Sequence, residues 1–144
     1  LVRIDVLACE IAFSKAEEIT ISGGEPFLQA EGLYDLLSRI GEVREMGVIV
    51  YTGFRYEDLL KKESAKKLLS KVDLLIDGPY IKELDDGRSL RGSSNQRILF
   101  LTDRYKPNEG EYGAEGREKE IFLRGIYIHE IGIPNGEPMW RITS

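Results

Sequence analysis

The chain alternates between stretches with helical hydrophobic spacing and short runs in which almost every residue is apolar. Helical spacing over residues 2–13 predicts a first helix. A second, strongly amphipathic helix is predicted over residues 28–46, and Gly47 is expected to end it because glycine often follows a helix C-terminus. The apolar face of this second helix consists of Leu33, Leu36, Leu37 and Ile40.

Three apolar runs, at residues 18–22, 48–51 and 72–76, predict buried strands. Helices are predicted around residues 56–60 and 64–69, between the second and third of these strands. Strands that alternate with helices in this way form right-handed crossovers and a parallel sheet. We therefore predict an α/β fold.

The character of the chain changes after Pro79. Residues 83–95 are polar and rich in turn formers, and residues 97–101 predict a further strand. Residues 106–117 contain a proline, an asparagine and three glycines, so a loop is predicted there.

The tail predicts a terminal β-hairpin. Two β-like runs, at residues 120–130 and 139–143, flank the turn-forming sequence Pro134-Asn135-Gly136. We assign residues 1–103 to an α/β domain, and residues 104–144 to a loop and hairpin that extend the same domain.

Composition narrows the possible classes of protein. The 144 residues suffice for one domain, and the net charge of -5 comes from acidic and basic residues that are interspersed. This argues against nucleic acid or an anionic membrane as the main partner, and no apolar run is long enough to span a bilayer. With a single cysteine, Cys9, the chain is not a disulfide scaffold, and a cytoplasmic location is expected. We expect Cys9 to pack in the first helix as a small hydrophobic residue.

Each of the three predicted strands ends in a polar or glycine-containing turn. These turns are Ser22-Gly23-Gly24-Glu25, Thr52-Gly53 and Asp77-Gly78-Pro79. In a parallel sheet the three ends lie at one edge, where α/β proteins bind small ligands. Glycine lets backbone approach a ligand closely, and an ionised glutamate suits a ligand ammonium group because it only accepts hydrogen bonds.

A structural interpretation of the same turns remains open. Ser22 and Glu25 have the spacing of a capping box, and Pro26 suits the first position of a helix. A segment at residues 89–97 leaves a similar choice, because Arg91, Asn95 and Arg97 could bind an anionic group or could belong to a solvated loop beside an edge strand. His129, the only histidine, is expected to be a structural or surface residue rather than a catalytic base.

Residues 20–29 closely resemble the Gly-Gly-Glu motif of radical S-adenosylmethionine enzymes. Residues 48–53, 72–80 and 91–97 follow in the same order as in the small activating enzymes of glycyl radical enzymes, including the activator of anaerobic ribonucleoside-triphosphate reductase. The chain is similar to this family over about residues 1–103.

The resemblance implies a partial (β/α) barrel of the radical S-adenosylmethionine type that lacks its first strand, with a C-terminal β-hairpin extension. It also implies that Glu25 and the backbone of Gly23 and Gly24 hold the amino group of S-adenosylmethionine. Thr52 and Gly53 would then line its methionine or ribose side, and Asp77 would approach the ribose. The implied cofactor-binding residues are Ser22, Gly23, Gly24, Glu25, Thr52, Gly53 and Asp77.

One feature of the family is missing. Its members bind a [4Fe-4S] cluster through a Cys-x3-Cys-x2-Cys loop, and such clusters need thiolate ligands. Cys9 lies in the helix that normally follows this loop, so we assign it no ligand role and name no metal ligand or catalytic residue. We expect the loop and the first strand to lie before Leu1, in an N-terminally truncated chain.

The implied activity is reductive cleavage of S-adenosylmethionine to generate a glycyl radical on a partner enzyme. The partner would be a glycyl radical enzyme such as anaerobic ribonucleoside-triphosphate reductase, with an electron donor such as flavodoxin. One alternative is a non-catalytic domain that binds S-adenosylmethionine or a partner protein without the iron-sulfur cluster. Another is a radical S-adenosylmethionine enzyme with a small-molecule substrate.

Overall fold

The computed structural model describes residues 3–88 and 90–106, together with the backbone of residues 127–130. Five strands form one sheet in the order β4-β3-β2-β1-β5. They are β1 (Glu18–Ser22), β2 (Gly47–Thr52), β3 (Leu74–Asp77), β4 (Arg97–Phe100) and β5 (Tyr127–Glu130). The helices are α1 (Ile4–Ala12), α2 (Ala30–Val43), α3 (Tyr56–Leu59) and α4 (Glu63–Leu69), with short 3₁₀ segments at Pro26–Gln29 and Lys82–Leu84.

The predicted parallel arrangement of the first three strands is confirmed. β1 pairs with β2 in parallel, with Ile21 opposite Val50, and β2 pairs with β3 in parallel, with Thr52 opposite Asp77. β4 joins β3 antiparallel, because a loop rather than a crossover helix connects these two strands.

Part of the C-terminal tail joins this sheet. β5 lies within the predicted strand at residues 120–130 and pairs in parallel with β1, which places His129 opposite Ile21. The second strand of the predicted hairpin, at residues 139–143, lies outside the described residues. Neither the hairpin nor the partial barrel is tested by these elements, so both stay predictions.

The sheet separates two apolar layers. Helices α1, α2 and α4 cover one face, where Ile21, Val50 and Leu75 pack against the apolar side of α2. On the other face, Ile49, Leu74 and Ile76 are fully buried beneath Leu90 and Tyr105. Strands buried on both faces explain why β2 and β3 are continuous apolar runs in the sequence. No helix in the described part of the chain is long and apolar enough to cross a membrane.

Two local predictions were wrong. Gly47 does not end a helix, since α2 ends at Val43, Arg44 is already extended, and Gly47 is the first residue of β2. Glycine is needed at this position because the Tyr105 side chain packs against it, and a Cβ at Gly47 would overlap the Tyr105 hydroxyl oxygen. Cys9 is exposed rather than packed, because the buried side of α1 is formed by Ala8, Ile11 and Ala12.

Candidate functional site at the carboxyl edge of the sheet

The last residues of three parallel strands meet at one edge of the sheet. Ser22 ends β1, Thr52 ends β2 and Asp77 ends β3. Their turns therefore lie side by side, as the sequence predicted. Loops at this edge bind ligands in other open α/β sheets.

Glu25 joins the first two of these turns. Its Oε1 accepts hydrogen bonds from the Thr52 hydroxyl at 2.6 Å and from the Phe27 amide at 3.2 Å, and its Oε2 accepts one from the Gly53 amide at 2.8 Å. An ionised carboxylate has about four acceptor positions. Three are occupied by the protein, so Oε2 retains one for a further donor such as a ligand ammonium group.

Glu25 is also the N-cap of the 3₁₀ segment, and Pro26 stands in its first turn. The capping box predicted from Ser22 and Glu25 is therefore wrong, since Glu25 itself is the N-cap, whereas Pro26 does occupy the first position of the segment as predicted. Because the cap uses only one of the acceptor positions on Glu25, it does not compete with a ligand contact at Oε2.

The two glycines before Glu25 adopt backbone conformations that suit glycine. Gly23 has φ of 81° and Gly24 has φ of 55°, both in the left-handed region. A residue with a Cβ is strained there, so the turn depends on this pair. The glycines bring bare backbone to the carboxyl edge, next to the carboxylate of Glu25.

Thr52 orients Glu25 from the neighbouring strand. Its hydroxyl is buried, donates to Glu25 Oε1, and accepts from the Phe54 amide at 3.1 Å. A hydroxyl has a single proton to donate, and here Glu25 receives it. Thr52 therefore fixes the carboxylate in place, which is a different contribution from the direct cofactor contact that the sequence predicted for it.

Asp77 is buried and hydrogen-bonded to protein groups through both carboxylate oxygens. Its side chain has no exposed surface, and its oxygens accept hydrogen bonds from Arg97 Nε at 2.9 Å, from Arg97 Nη2 and from the Tyr56 amide at 2.8 Å. Burial raises the pKa of this carboxyl, but the Arg97 hydrogen bonds, the Tyr56 amide and the nearby positive charges outweigh burial and hold the pKa below its usual range. These contacts support a structural role, while its contact with ribose stays a prediction.

Arg97 bridges Asp77 to Glu57. Its Nη1 and Nη2 donate to the two Glu57 oxygens at 2.9 and 2.8 Å. The Arg97 hydrogen bonds, the backbone of Glu57 and the nearby positive charges lower the pKa of Glu57 to about 2, and the same bonds raise the pKa of Arg97. This network fixes α3 and the start of β4 against the end of β3.

The polar segment before β4, residues 91–96, is held by hydrogen bonds to other parts of the protein. Asn95 donates to the Pro79 carbonyl at 2.7 Å, Gln96 donates to the Gly78 carbonyl at 2.9 Å, and Arg91 donates to Asp86. Together with the Arg97 network, these bonds hold the turn after β3. The geometry therefore supports neither the solvated loop nor the anion site considered from the sequence.

Sequence reasoning missed two charged residues beside Asp77. Glu57 pairs with Arg97 across 40 residues, and Arg55 places Nη1 3.6 Å from Asp77 Oδ1. Both follow a strand end, at the start of a short helix. No short motif contains either pair, because these residues are brought together by the pairing of β3 with β2 on one side and with β4 on the other.

Comparison with known proteins places the chain in a family. Residues 4–99 match the model of a family described as a 4Fe-4S single cluster domain. The chain belongs to this family. No solved structure matches it significantly.

Curated relatives of this 4Fe-4S single cluster domain protein share one name. Anaerobic ribonucleoside-triphosphate reductase-activating proteins are 33% identical over 100 residues in Enterobacteria phage T4, 36% over 88 residues in Haemophilus influenzae and 33% over 92 residues in Vibrio cholerae. These alignments cover 67%, 58% and 61% of the chain and 62%, 56% and 58% of the respective relatives. The chain thus spans somewhat more than half the length of these relatives, and the family resemblance identified from the sequence is confirmed.

The cluster named in the family description does not fit the residues of this chain. A [4Fe-4S] cluster needs cysteine thiolates, whereas the chain has only Cys9. Among the described residues, no group of three or more histidine, cysteine or acidic side chains could hold a metal ion. One cysteine cannot supply the full set of ligands that such a cluster needs.

Proposed function

We propose that this chain is the S-adenosylmethionine-binding part of a radical S-adenosylmethionine activating enzyme. The complete enzyme would generate a glycyl radical on a partner such as anaerobic ribonucleoside-triphosphate reductase, as the names of the relatives suggest. The observation that carries the proposal is the Gly-Gly-Glu turn, whose carboxylate is fixed by Thr52 and Gly53 and retains one acceptor position.

Each residue of this edge has a defined task in the proposal. Glu25 Oε2 accepts from the ammonium group of the methionyl moiety, and the bare backbone of Gly23 and Gly24 lets that moiety approach. The hydroxyl of Thr52 keeps Glu25 in position. S-adenosylmethionine, when bound, supplies the carbon–sulfur bond that is cleaved, while the protein binds and orients it.

The partial (β/α) barrel, the flavodoxin-like electron donor and the cytoplasmic location belong to this proposal. Parallel strands β1 to β3, with helices on one face, are compatible with part of such a barrel. The glycyl radical partner would meet the carboxyl edge, because the bound cofactor lies there.

A second candidate is a non-catalytic domain that binds S-adenosylmethionine without a cluster. The observation that favours it is the single, exposed cysteine. In this case the same carboxyl edge would bind the cofactor, and no electron transfer would follow.

Calorimetric titration with S-adenosylmethionine tests the binding claim common to both candidates. The chain is expected to bind the cofactor, and Glu25→Gln is expected to weaken binding by about tenfold or more, because a charge-assisted hydrogen bond is lost. Glu42→Gln, on the exposed side of α2, is the matched control and should bind like the original chain. Absence of binding, or equal binding by Glu25→Gln, would contradict the proposal.

A further inference from the structure

Two arginines beside Asp77 differ in how their guanidinium groups are used. Arg97 donates to Asp77 and to Glu57 through four hydrogen bonds. The Arg55 guanidinium donates no hydrogen bond among the described contacts, since its ion pair with Asp77, at 3.6 Å, is too long for one, although its charge also acts on Glu57. The Arg55 side chain is 40% exposed, so its donors are accessible from solvent.

Gly78 creates the space in which the Arg55 guanidinium lies. A Cβ at Gly78 would lie 3.1 Å from Nη1, 3.2 Å from Cζ and 3.6 Å from Nε of Arg55, so the guanidinium lies directly against this glycine. Gly78 has φ of +102°, and its amide donates to the Phe54 carbonyl at 3.0 Å. The missing side chain thus leaves room for the guanidinium.

Asp77 is held mainly by partners other than Arg55. Its carboxylate accepts three hydrogen bonds, two from Arg97 and one from the Tyr56 amide. A second guanidinium at 3.6 Å adds attraction but no hydrogen bond. The placement of Arg55 therefore leaves a positively charged, planar donor group whose hydrogen-bonding capacity Asp77 does not use.

A short backbone segment connects Arg55 to the residue whose amide holds Glu25. The Gly53 amide donates to Glu25, and Arg55 follows two residues later, a backbone span of at most about 7 Å. The loop after β2 therefore carries both the amide that holds Glu25, which retains one acceptor position, and Arg55, whose guanidinium donates no hydrogen bond among the described contacts. An α-amino acid head group, with one ammonium and one carboxylate, complements this pair of charges.

We propose that Arg55 binds the carboxylate of the methionyl moiety of S-adenosylmethionine while Glu25 binds its ammonium group. This inference rests on the proposed function. It makes Arg55 a residue that selects ligands carrying an intact amino-acid head group, since guanidinium and carboxylate form a bidentate pair.

Decarboxylated S-adenosylmethionine, which lacks this carboxylate, provides the test. The original chain is expected to bind S-adenosylmethionine more tightly than the decarboxylated compound in calorimetric titrations. Arg55→Gln is expected to weaken binding of S-adenosylmethionine by about tenfold or more and to leave the decarboxylated compound unaffected. Arg55→Lys, which keeps the charge but loses the bidentate geometry, should show a smaller loss with the same ligand dependence.

Two further variants separate the possible failures. Glu25→Gln should weaken both ligands, and Arg39→Gln, which removes an exposed arginine from α2, should weaken neither. If the original chain binds S-adenosylmethionine but the Arg55 variants weaken both ligands equally, or neither, the role of Arg55 is wrong and the proposed function stands. If the original chain binds neither ligand, the proposed function and this inference both fail.

Discussion

At the residue scale, the hydroxyl of Thr52 is the contact that fixes Glu25. Replacement by valine keeps the shape of the side chain but removes a donor to Glu25 and the acceptor for the Phe54 amide. We expect Thr52→Val to lower the free energy of unfolding by about 1–3 kcal/mol, because buried polar groups lose partners. Chemical denaturation measures this loss.

Thr52→Ser is the matched control, because it keeps the hydroxyl and removes only a methyl group. It should lower the free energy of unfolding by about 0.8 kcal/mol and leave affinity for S-adenosylmethionine close to that of the original chain. A serine variant that loses as much affinity as the valine variant would show that the hydroxyl does not orient Glu25.

Asp77 makes stability depend on pH. The folded state holds the pKa of Asp77 below its ordinary value of 3.8, so its contribution to stability is present above that value and is lost as the pH falls through the folded pKa. Arg97→Gln leaves a buried carboxylate with only the Tyr56 amide and the ion pair with Arg55 at 3.6 Å, and this loss of partners raises its pKa. We expect a loss of about 3 kcal/mol at neutral pH and acid unfolding at a higher pH.

Denaturation at neutral and acidic pH measures both effects, with Arg39→Gln as control. Arg39 pairs with Asp35 on the solvent-facing side of α2, where such a pair contributes about 0.3–0.5 kcal/mol. If Arg97→Gln and Arg39→Gln have equal stability and the same acid midpoint, the Asp77 network does not hold this edge together.

At the scale of elements, Gly47 and Tyr105 connect β2 to the segment after β4. Gly47→Ala would place a methyl group against the Tyr105 hydroxyl oxygen, closer than van der Waals contact allows. That hydroxyl also donates to Glu18, at the start of β1. We expect Gly47→Ala to destabilise the protein by about 1–3 kcal/mol through overpacking.

A double-mutant cycle with Tyr105→Phe tests this contact. Phenylalanine removes the oxygen that the new methyl group would meet, so Gly47→Ala should cost less stability in the Tyr105→Phe background than in the original chain. Equal losses in both backgrounds would show that the two residues do not pack as described.

Hydrophobic patterning correctly predicted the strands and the helix whose apolar residues are buried in the core. The apolar runs became β1, β2 and β3, and the apolar stripe of the second predicted helix became the buried side of α2. Gly47 was misjudged because its role depends on Tyr105, 58 residues later, which no local pattern reveals.

In the candidate site, too, local motifs were predictable from the sequence, and contacts between distant residues were not. Glu25 and the glycines before it form a local motif, so the sequence identified them. The contacts of Asp77 with Arg97, and of Arg55 with Gly78, depend on strand register and on loops that fold back. The sequence therefore predicted which turns meet at the carboxyl edge of the sheet, but not which side chains at that edge bond to one another.

At the scale of the whole molecule, the number of cysteines limits the chemistry of this chain. After anaerobic treatment with iron and sulfide, the chain is expected to show no [4Fe-4S] absorbance, because one thiol cannot hold such a cluster. Cys9→Ala should behave identically. A full cluster per chain in iron and sulfide analysis would contradict this expectation.

S-adenosylmethionine is proposed to bind at the carboxyl edge of the sheet, beside Glu25, and every functional inference above depends on this location. The most direct measurement is a titration of isotope-labelled protein with S-adenosylmethionine, followed by the amide signals in NMR spectra. We expect the largest shifts at Gly23, Gly24 and Gly53, and we expect Glu25→Gln to reduce them. Shifts centred elsewhere in the molecule, or no shifts at saturating ligand, would contradict this location.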